Sequence, residues 1–398
     1  MKAITSLALL PLLLATGACS SNSGGSSNQS GSPPDAGNGS GNDASDDGGG
    51  TTGVTPTSYE AKLSGAQVVP AVQTPATGDA KLTLETDGQT LDYDITHNVS
   101  GASSVNLHIG APLESGNVTH QLTPVSQHMK GKVTLTSDET MAISADQLYV
   151  DILSPAHPGG EIRGQVTSPG STIYVALPTG KQEVPSVSSS YAAHASFIVS
   201  ADGTQGLYHV VTGAVPTNVL LQRGIASMTG QIVYPLTPVG ATVDGTLTLA
   251  SGDPADFQAG HFYVNIQTQQ NPTGELRGQV IPPGATLYNG ALAGANEVPP
   301  ISTQASGGAQ FVLSPDFTTL SYEIDVNGII PTGADMDNGA PGKDGPMLYQ
   351  LTLNQGGAQG SITLAPNDLP MMQGGATYVN VHTASYPNGE VRAQLVQH

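Results

Sequence analysis

The sequence predicts an all-β protein: three tandem antiparallel β-sandwich domains of the Greek-key, Ig-like kind, set behind a disordered N-terminal tether. Three observations carry this expectation. The 398 residues include 50 Gly, 29 Pro and no Trp, with Thr, Val and Ser plentiful and Lys and Arg scarce, a composition of short strands and turns. Apolar and polar residues alternate with period two through many short segments. Landmark motifs recur at one spacing across most of the chain.

The N-terminus comes first. Met1 and Lys2 form a short positive start, and Ile4 to Leu14 is an apolar run broken by Pro11. It is too short to span a bilayer, which takes about 20 apolar residues. Ala15, Thr16, Gly17 and Ala18 then lead into Cys19, the only cysteine. A secretory segment ending in small residues and Cys resembles the bacterial lipobox, although Thr16 stands where that pattern usually has Leu. The resemblance implies cleavage after residue 18, lipidation of Cys19 and a lipid-anchored protein. Ser20 at the following position favours the outer membrane or cell surface. Residues 1–19 are accordingly read as signal peptide and lipobox.

Residues 20–57, SNSGGSSNQSGSPPDAGNGSGNDASDDGGG and its flanks, hold no Lys, no Arg and no aromatic residue. Such a segment cannot bury enough apolar surface to offset the entropy of ordering, so a flexible tether is expected. A Gly/Ser coil of this length has an r.m.s. span of roughly 30–40 Å.

The repeats follow. Val-Pro occurs at Val69-Pro70, Val184-Pro185 and Val298-Pro299. Tyr-Val followed by Asp or Asn occurs at Tyr149, Tyr263 and Tyr378. Gly-Glu-x-Arg occurs at Glu161/Arg163, Glu275/Arg277 and Glu390/Arg392. All three keep a period of 114 or 115 residues, the size of a whole domain rather than of a solenoid unit. Boundaries are expected at 58–168, 171–281 and 285–398, joined by the short linkers Ser168-Pro169-Gly170 and Pro282-Pro283-Gly284. Segments such as Lys81-Leu82-Thr83-Leu84-Glu85 and Thr246-Leu247-Thr248-Leu249 read as half-buried strands. Pro158-Gly159-Gly160 and its copies read as the turn of a final hairpin. Seven or eight strands per unit are expected. Outside the extreme N-terminus, no segment shows a sustained helical period.

Together these landmarks resemble the chordin-type (CHRD) domain. Its outline is an opening Glu-Val-Pro-Pro, a His-x-His, then Tyr-Val-Asn-x-His-Thr and a closing Pro-x-Gly-Glu-x-Arg-Gly. Repeat three matches best, through Glu297-Val298-Pro299-Pro300 and Tyr378-Val379-Asn380-Val381-His382-Thr383. The histidine positions depart from the family. The His-x-His reads Asn106-Leu107-His108, Leu220-Leu221-Gln222 and Asp335-Met336-Asp337, and the third His reads Leu153, Gln267 and His382. The resemblance implies secretion and a binding role, with no reaction attached.

Glu161 and Arg163, like Glu275/Arg277 and Glu390/Arg392, stand at i and i+2 of a strand and should share a face. They are read as a repeated structural pair, with ligand recognition as the rival. Tyr149, Tyr263 and Tyr378 are read as core or rim anchors rather than a sugar-stacking face. In repeat one, His108, His120 and His128 with Asn106 are similar to a superoxide-dismutase His-x-His, but that motif's first His is Asn here. In repeat three, Asp335, Asp337 and His382 are the candidate ligands of a divalent cation: zinc, manganese or, in a rival loop using Asp344, calcium. No other cofactor is expected.

With 31 Asp plus Glu against 11 Lys plus Arg, the formal charge is −20. That excludes nucleic acid as a partner, since the backbone demands a basic footprint. It also leaves the lipid anchor as the only membrane contact. No phosphate loop, Gly-x-Ser-x-Gly or His-Glu-x-x-His occurs. The reading is therefore a non-catalytic, lipid-anchored cell-envelope binding or adhesion protein, its partner an extracellular protein or polysaccharide. A metal-dependent redox or hydrolytic protein using repeat three is the alternative.

Overall fold

The computed structural model describes residues 55–237 and 241–398. Cys19, with the rest of the signal segment and nearly all of the expected tether, lies outside the described residues. Repeat one contains eight strands: β1 (Thr57–Ser64), β2 (Thr77–Leu84), β3 (Thr90–His97), β4 (Ser104–Ile109), β5 (Val118–Gln121), β6 (His128–Thr134), β7 (Leu148–Leu153) and β8 (Ile162–Val166). The first strand begins at Thr57, the last residue of the expected tether. All pairings are antiparallel, in the order β5-β4-β7-β8-β1-β2-β3-β6. Two four-stranded halves, β6-β3-β2-β1 and β5-β4-β7-β8, thus meet along the β1/β8 edge, where Ser64 pairs with Arg163. The chain crosses between halves after β3, β5 and β6, which is Greek-key connectivity.

Repeat two follows the same plan: β9 (Thr172–Ala176), β10 (Ala193–Val199), β11 (Gln205–Thr212), β12 (Asn218–Arg223), β13 (Gln231–Leu236), β14 (Thr242–Thr248), β15 (Phe262–Gln267) and β16 (Leu276–Gln279). Its halves, β14-β11-β10-β9 and β13-β12-β15-β16, pack on one core and, among the described residues, pair through isolated bridges such as Thr179 with Arg277. Repeat three comprises β17 (Thr286–Ala293), β18 (Ser306–Leu313), β19 (Thr319–Asn327), β20 (Gly333–Asn338), β21 (Met347–Gln350), β22 (Gly357–Thr363), β23 (Thr377–His382), β24 (Val391–Gln394) and a short β25 (Val396–Gln397) against β17.

The period-two pattern sets the cores. Along β2 every second residue is buried, Ala80 and Leu82 facing inward while Lys81 points out. They join Leu63, Leu91, Ile95, Leu107, Val150 and Ile152 in one cluster per repeat. Each such fully buried aliphatic side chain stabilises by about 1.5–3 kcal/mol. A one-residue slip of register would turn the whole set outward. The β2–β3 turn is fixed by Asp87, which accepts from the backbone N–H groups of Gln89 and Thr90. Asp202 and Asp316 repeat the device with Thr204 and Thr318.

The structure adds one element type that the sequence pattern did not signal. A short helix precedes the seventh strand of every repeat: α1 (Ser137–Ser144), α2 (Asp253–Ala259) and α3 (Leu369–Gln373). These helices are defined by their ends rather than by an apolar stripe. Thr136 and Glu139 form a capping box on α1, and Gly260 in the left-handed region terminates α2. Five to eight residues are too few to display helical periodicity. Among the described residues, no helix is long and apolar enough to cross a membrane.

Candidate functional site

The Glu-x-Arg motif opens the eighth strand of each repeat, and its Arg is buried. Arg163 keeps 4% of its surface exposed, Arg277 3% and Arg392 2%. Each guanidinium lies on a tyrosine ring: Arg163 on Tyr149 at 3.5 Å to the ring centroid, Arg277 on Tyr263 at 3.6 Å, Arg392 on Tyr378 at 3.3 Å. The edge of the fork donates to the loop that follows the fourth strand. Arg163 Nη2 reaches the Ala111 carbonyl at 2.9 Å; Arg277 reaches the carbonyls of Met228 (2.8 Å) and Ile225 (2.9 Å). Arg392 donates to the Lys343 carbonyl at 2.6 Å and to Asp344 at 3.1 Å. A planar, five-donor cation fits this task of stacking and bridging at once.

The same geometry corrects the expected Glu–Arg pair. Glu161 accepts from Thr74 Oγ1 at 3.0 Å, Glu275 from Thr268 at 2.9 Å, and Glu390 from Thr303 (2.7 Å) and Thr383 (2.6 Å). Among the described residues no ion pair joins Glu161 to Arg163, Glu275 to Arg277 or Glu390 to Arg392. The glutamate sits just before the strand proper, so it takes threonine hydroxyls of the hairpin turn or of the loop before the second strand while the arginine reaches the loop after the fourth. The motif is two anchors rather than one pair.

Two further partners complete the frame. Gln165, Gln279 and Gln394, two residues beyond each Arg, donate to the carbonyls of Gly110, Gly224 and Gly339 at 2.8, 2.8 and 2.9 Å. The hydroxyls of Tyr149, Tyr263 and Tyr378 accept from the N–H of Gly116, Gly230 and Gly345. These glutamines keep the same 114- and 115-residue spacing as the arginines, which is the sequence signal that marks them.

Beside this frame lie the positions that depart from the family pattern. In repeat one Asn106 donates to Asp151 at 2.9 Å, while His108 stands 3.1 Å from Asp151 and stacks on Tyr149 at 4.6 Å. In repeat two the same places hold Leu220, Gln222 and Asn265, with Asn265 donating to Gln222 at 3.0 Å. In repeat three His382 Nε2 lies 2.7 Å from Asp335 Oδ2, because Asp335 on β20 and His382 on β23 are diagonal neighbours. Asp335 Oδ1 is buried without a hydrogen-bond partner. Burial, then the adjacent Asp335 charge, pushes the Asp337 carboxyl up to about 6. The Asp335 hydrogen bond raises the His382 imidazole. The opening motif contributes Glu183 and Glu297, each pushed up to about 7 by burial, which outweighs the lowering by Arg277 or Arg392. Asp344, placed in the rival calcium loop, instead holds Arg392.

The histidines of repeat one do not converge. His108 faces Asp151, His120 lies 2.8 Å from Glu139, and His128 2.8 Å from Asp94. Each is committed to its own carboxylate on a different strand or helix.

Comparison with known families agrees with this threefold architecture. The CHRD domain model matches residues 59–166, 174–280 and 288–395, well over half of the chain. Those spans coincide with the three β units and with their buried Arg–Tyr–Gln frames. The chain belongs to the CHRD domain family, which it carries as three tandem copies.

Proposed function

We propose that this chain is a non-catalytic, lipid-anchored binding or adhesion protein of the bacterial cell envelope. One observation carries the binding role. The Arg–Tyr–Gln frame is kept in all three repeats, while the face beside it varies: Asn106, His108 and Asp151, then Leu220, Gln222 and Asn265, then Asp335, Asp337 and Asn380. A fixed frame with varied polar positions serves recognition, since specificity comes from a few placed polar groups. A catalytic role would call for a nucleophile, base and orienter in mutual reach. The anchoring role rests on the apolar run, the small residues and Cys19 followed by a Gly/Ser tether. Three domains on one tether also raise avidity for a repetitive partner such as a polysaccharide or a surface protein.

The test is fractionation of cells expressing the native chain or Cys19→Ala. The native chain should partition into detergent and bind purified envelope polysaccharide or intact cells. The variant should leave the detergent phase yet keep that binding. Equal detergent partition of both would reject the anchor; failure of both to bind would reject the recognition role.

A second reading rests on repeat three. The contact of Asp335 with His382, and the unpartnered Asp335 Oδ1 beside Asp337, support a divalent cation, whether zinc, manganese or calcium. A metal-dependent activity would start there.

A further inference from the structure

The loop after β4 that Arg163 shapes has a second consequence, at the junction with repeat two. The Glu114 carbonyl is taken by Arg163, and its carboxylate meets two imidazoles of the next repeat. These are His194 on β10 and His209 on β11. In the β10/β11 ladder Ser196 stands opposite His209. His194, two residues before Ser196, therefore shares that face with His209, pointing away from the core residues Ala195 and Phe197.

The distances have a specific meaning. Glu114 Oε1 lies 3.4 Å from His194 Nε2 and 3.3 Å from His209 Nε2. All three atoms fall within 4.8 Å of one another. A charge-assisted N–H···O bond closes to about 2.7–2.9 Å; the His194 contact is a long hydrogen bond and the His209 Nε2 contact is not one. Ligand atoms held by a tetrahedral ion at about 2.0–2.1 Å are instead about 3.3–3.4 Å apart. His209 Nε2 is buried with no hydrogen-bond partner. Its other nitrogen, Nδ1, lies 2.6 Å from Asp244 on β14. A carboxylate on the far ring nitrogen fixes the tautomer that leaves the Nε2 lone pair free, as in carboxylate–histidine–metal arrangements.

The second junction shows that the fold does not impose this cluster. At the positions one period later stand Met228, Gly308, Glu323 and, in place of Asp244, Gln359. That junction is held differently, by His261 with Glu323 and by Gln310 donating to the Gly260 carbonyl at 2.9 Å.

We propose that Glu114, His194 and His209 bind a divalent transition-metal ion of the zinc type, with Asp244 as positioning residue, and that the ion ties repeat one to repeat two. Two imidazoles and one carboxylate suit a borderline cation; solvent completes the shell.

The full-length chain, stripped with chelator and dialysed against zinc, provides the test. Metal content and competitive-chelator titration should show a zinc ion that His194→Ala and His209→Ala each remove and His157→Ala keeps. Asp244→Asn should retain the ion with affinity lowered about 10–100-fold. Cobalt(II) should give the visible bands of a tetrahedral site, absent in His209→Ala. Where a histidine variant unfolds, Glu114→Gln, which preserves side-chain shape, decides by losing the ion. Unchanged stoichiometry and affinity in the junction variants overturns the proposal, as does a native chain that takes up no zinc. Loss only on Asp335→Asn or His382→Ala also overturns it, and places the ion in repeat three instead.

Discussion

The guanidinium of Arg277 lies flat on the ring of Tyr263, 3.6 Å from its centroid, with both partners almost wholly buried. The stack continues into backbone, because Arg277 also holds two carbonyls of the loop whose Gly230 N–H is held by the Tyr263 hydroxyl. Arg277→Ala removes the cation–π contact and leaves buried carbonyls without donors. The expected loss of stability is about 2–5 kcal/mol. Arg277→Lys should recover only part of it, since an ammonium cannot bridge and stack together. Denaturant titration followed by hydrogen exchange of repeat-two peptides measures both.

A double-mutant cycle on Glu390 and Arg392 separates two anchors from one pair. Glu390 is engaged by Thr303 and Thr383, and Arg392 by Lys343 and Asp344. Without a shared partner, the coupling should stay below about 0.5 kcal/mol even though each single change destabilises. A coupling of several times that value would restore a direct pair.

Gly230→Ala should disable repeat two. A Cβ at this position would overlap the Arg223 carbonyl oxygen, where the two chain segments approach backbone to backbone. Gly116 and Gly345 meet Ile109 and Asn338 in the same way. A soluble, cooperatively melting Gly230→Ala protein with an unchanged Tm would contradict this close approach.

The buried Glu183 gives a pH signature. Its folded-state pKa, pushed up to about 7 by burial, exceeds the unfolded value, so protonation favours the folded chain. Stability should fall as pH rises from about 5 to 7, with a slope of up to about 1.4 kcal/mol per pH unit for the group. Glu183→Gln should remove that component. The difference in unfolding free energy between the two proteins, followed over this range, checks the sign; a difference independent of pH would refute it.

Much of the fold is legible in the sequence. Period-two alternation gives the strands, turn residues such as Pro158-Gly159-Gly160 place reversals, and the 114- and 115-residue spacing gives three units. These are local signals, repeated three times, and a strand's buried face follows directly from its alternation. The short helices escaped because their identity lies in caps such as Thr136 and Glu139 rather than in a stripe. Arg163, Arg277 and Arg392 were legible as repeated residues, but their partners were not. Strand periodicity places Glu161 beside Arg163 in sequence, and only the tertiary structure decides that Arg163 turns to Tyr149 and the loop carbonyls while Glu161 turns to Thr74. The same holds at the first junction. Glu114, His194 and His209 are separated by 80 and 15 residues and belong to different repeats, so no motif links them. Their meeting depends on how one sandwich docks on the next, a long-range choice made by packing surfaces that local sequence pattern does not encode.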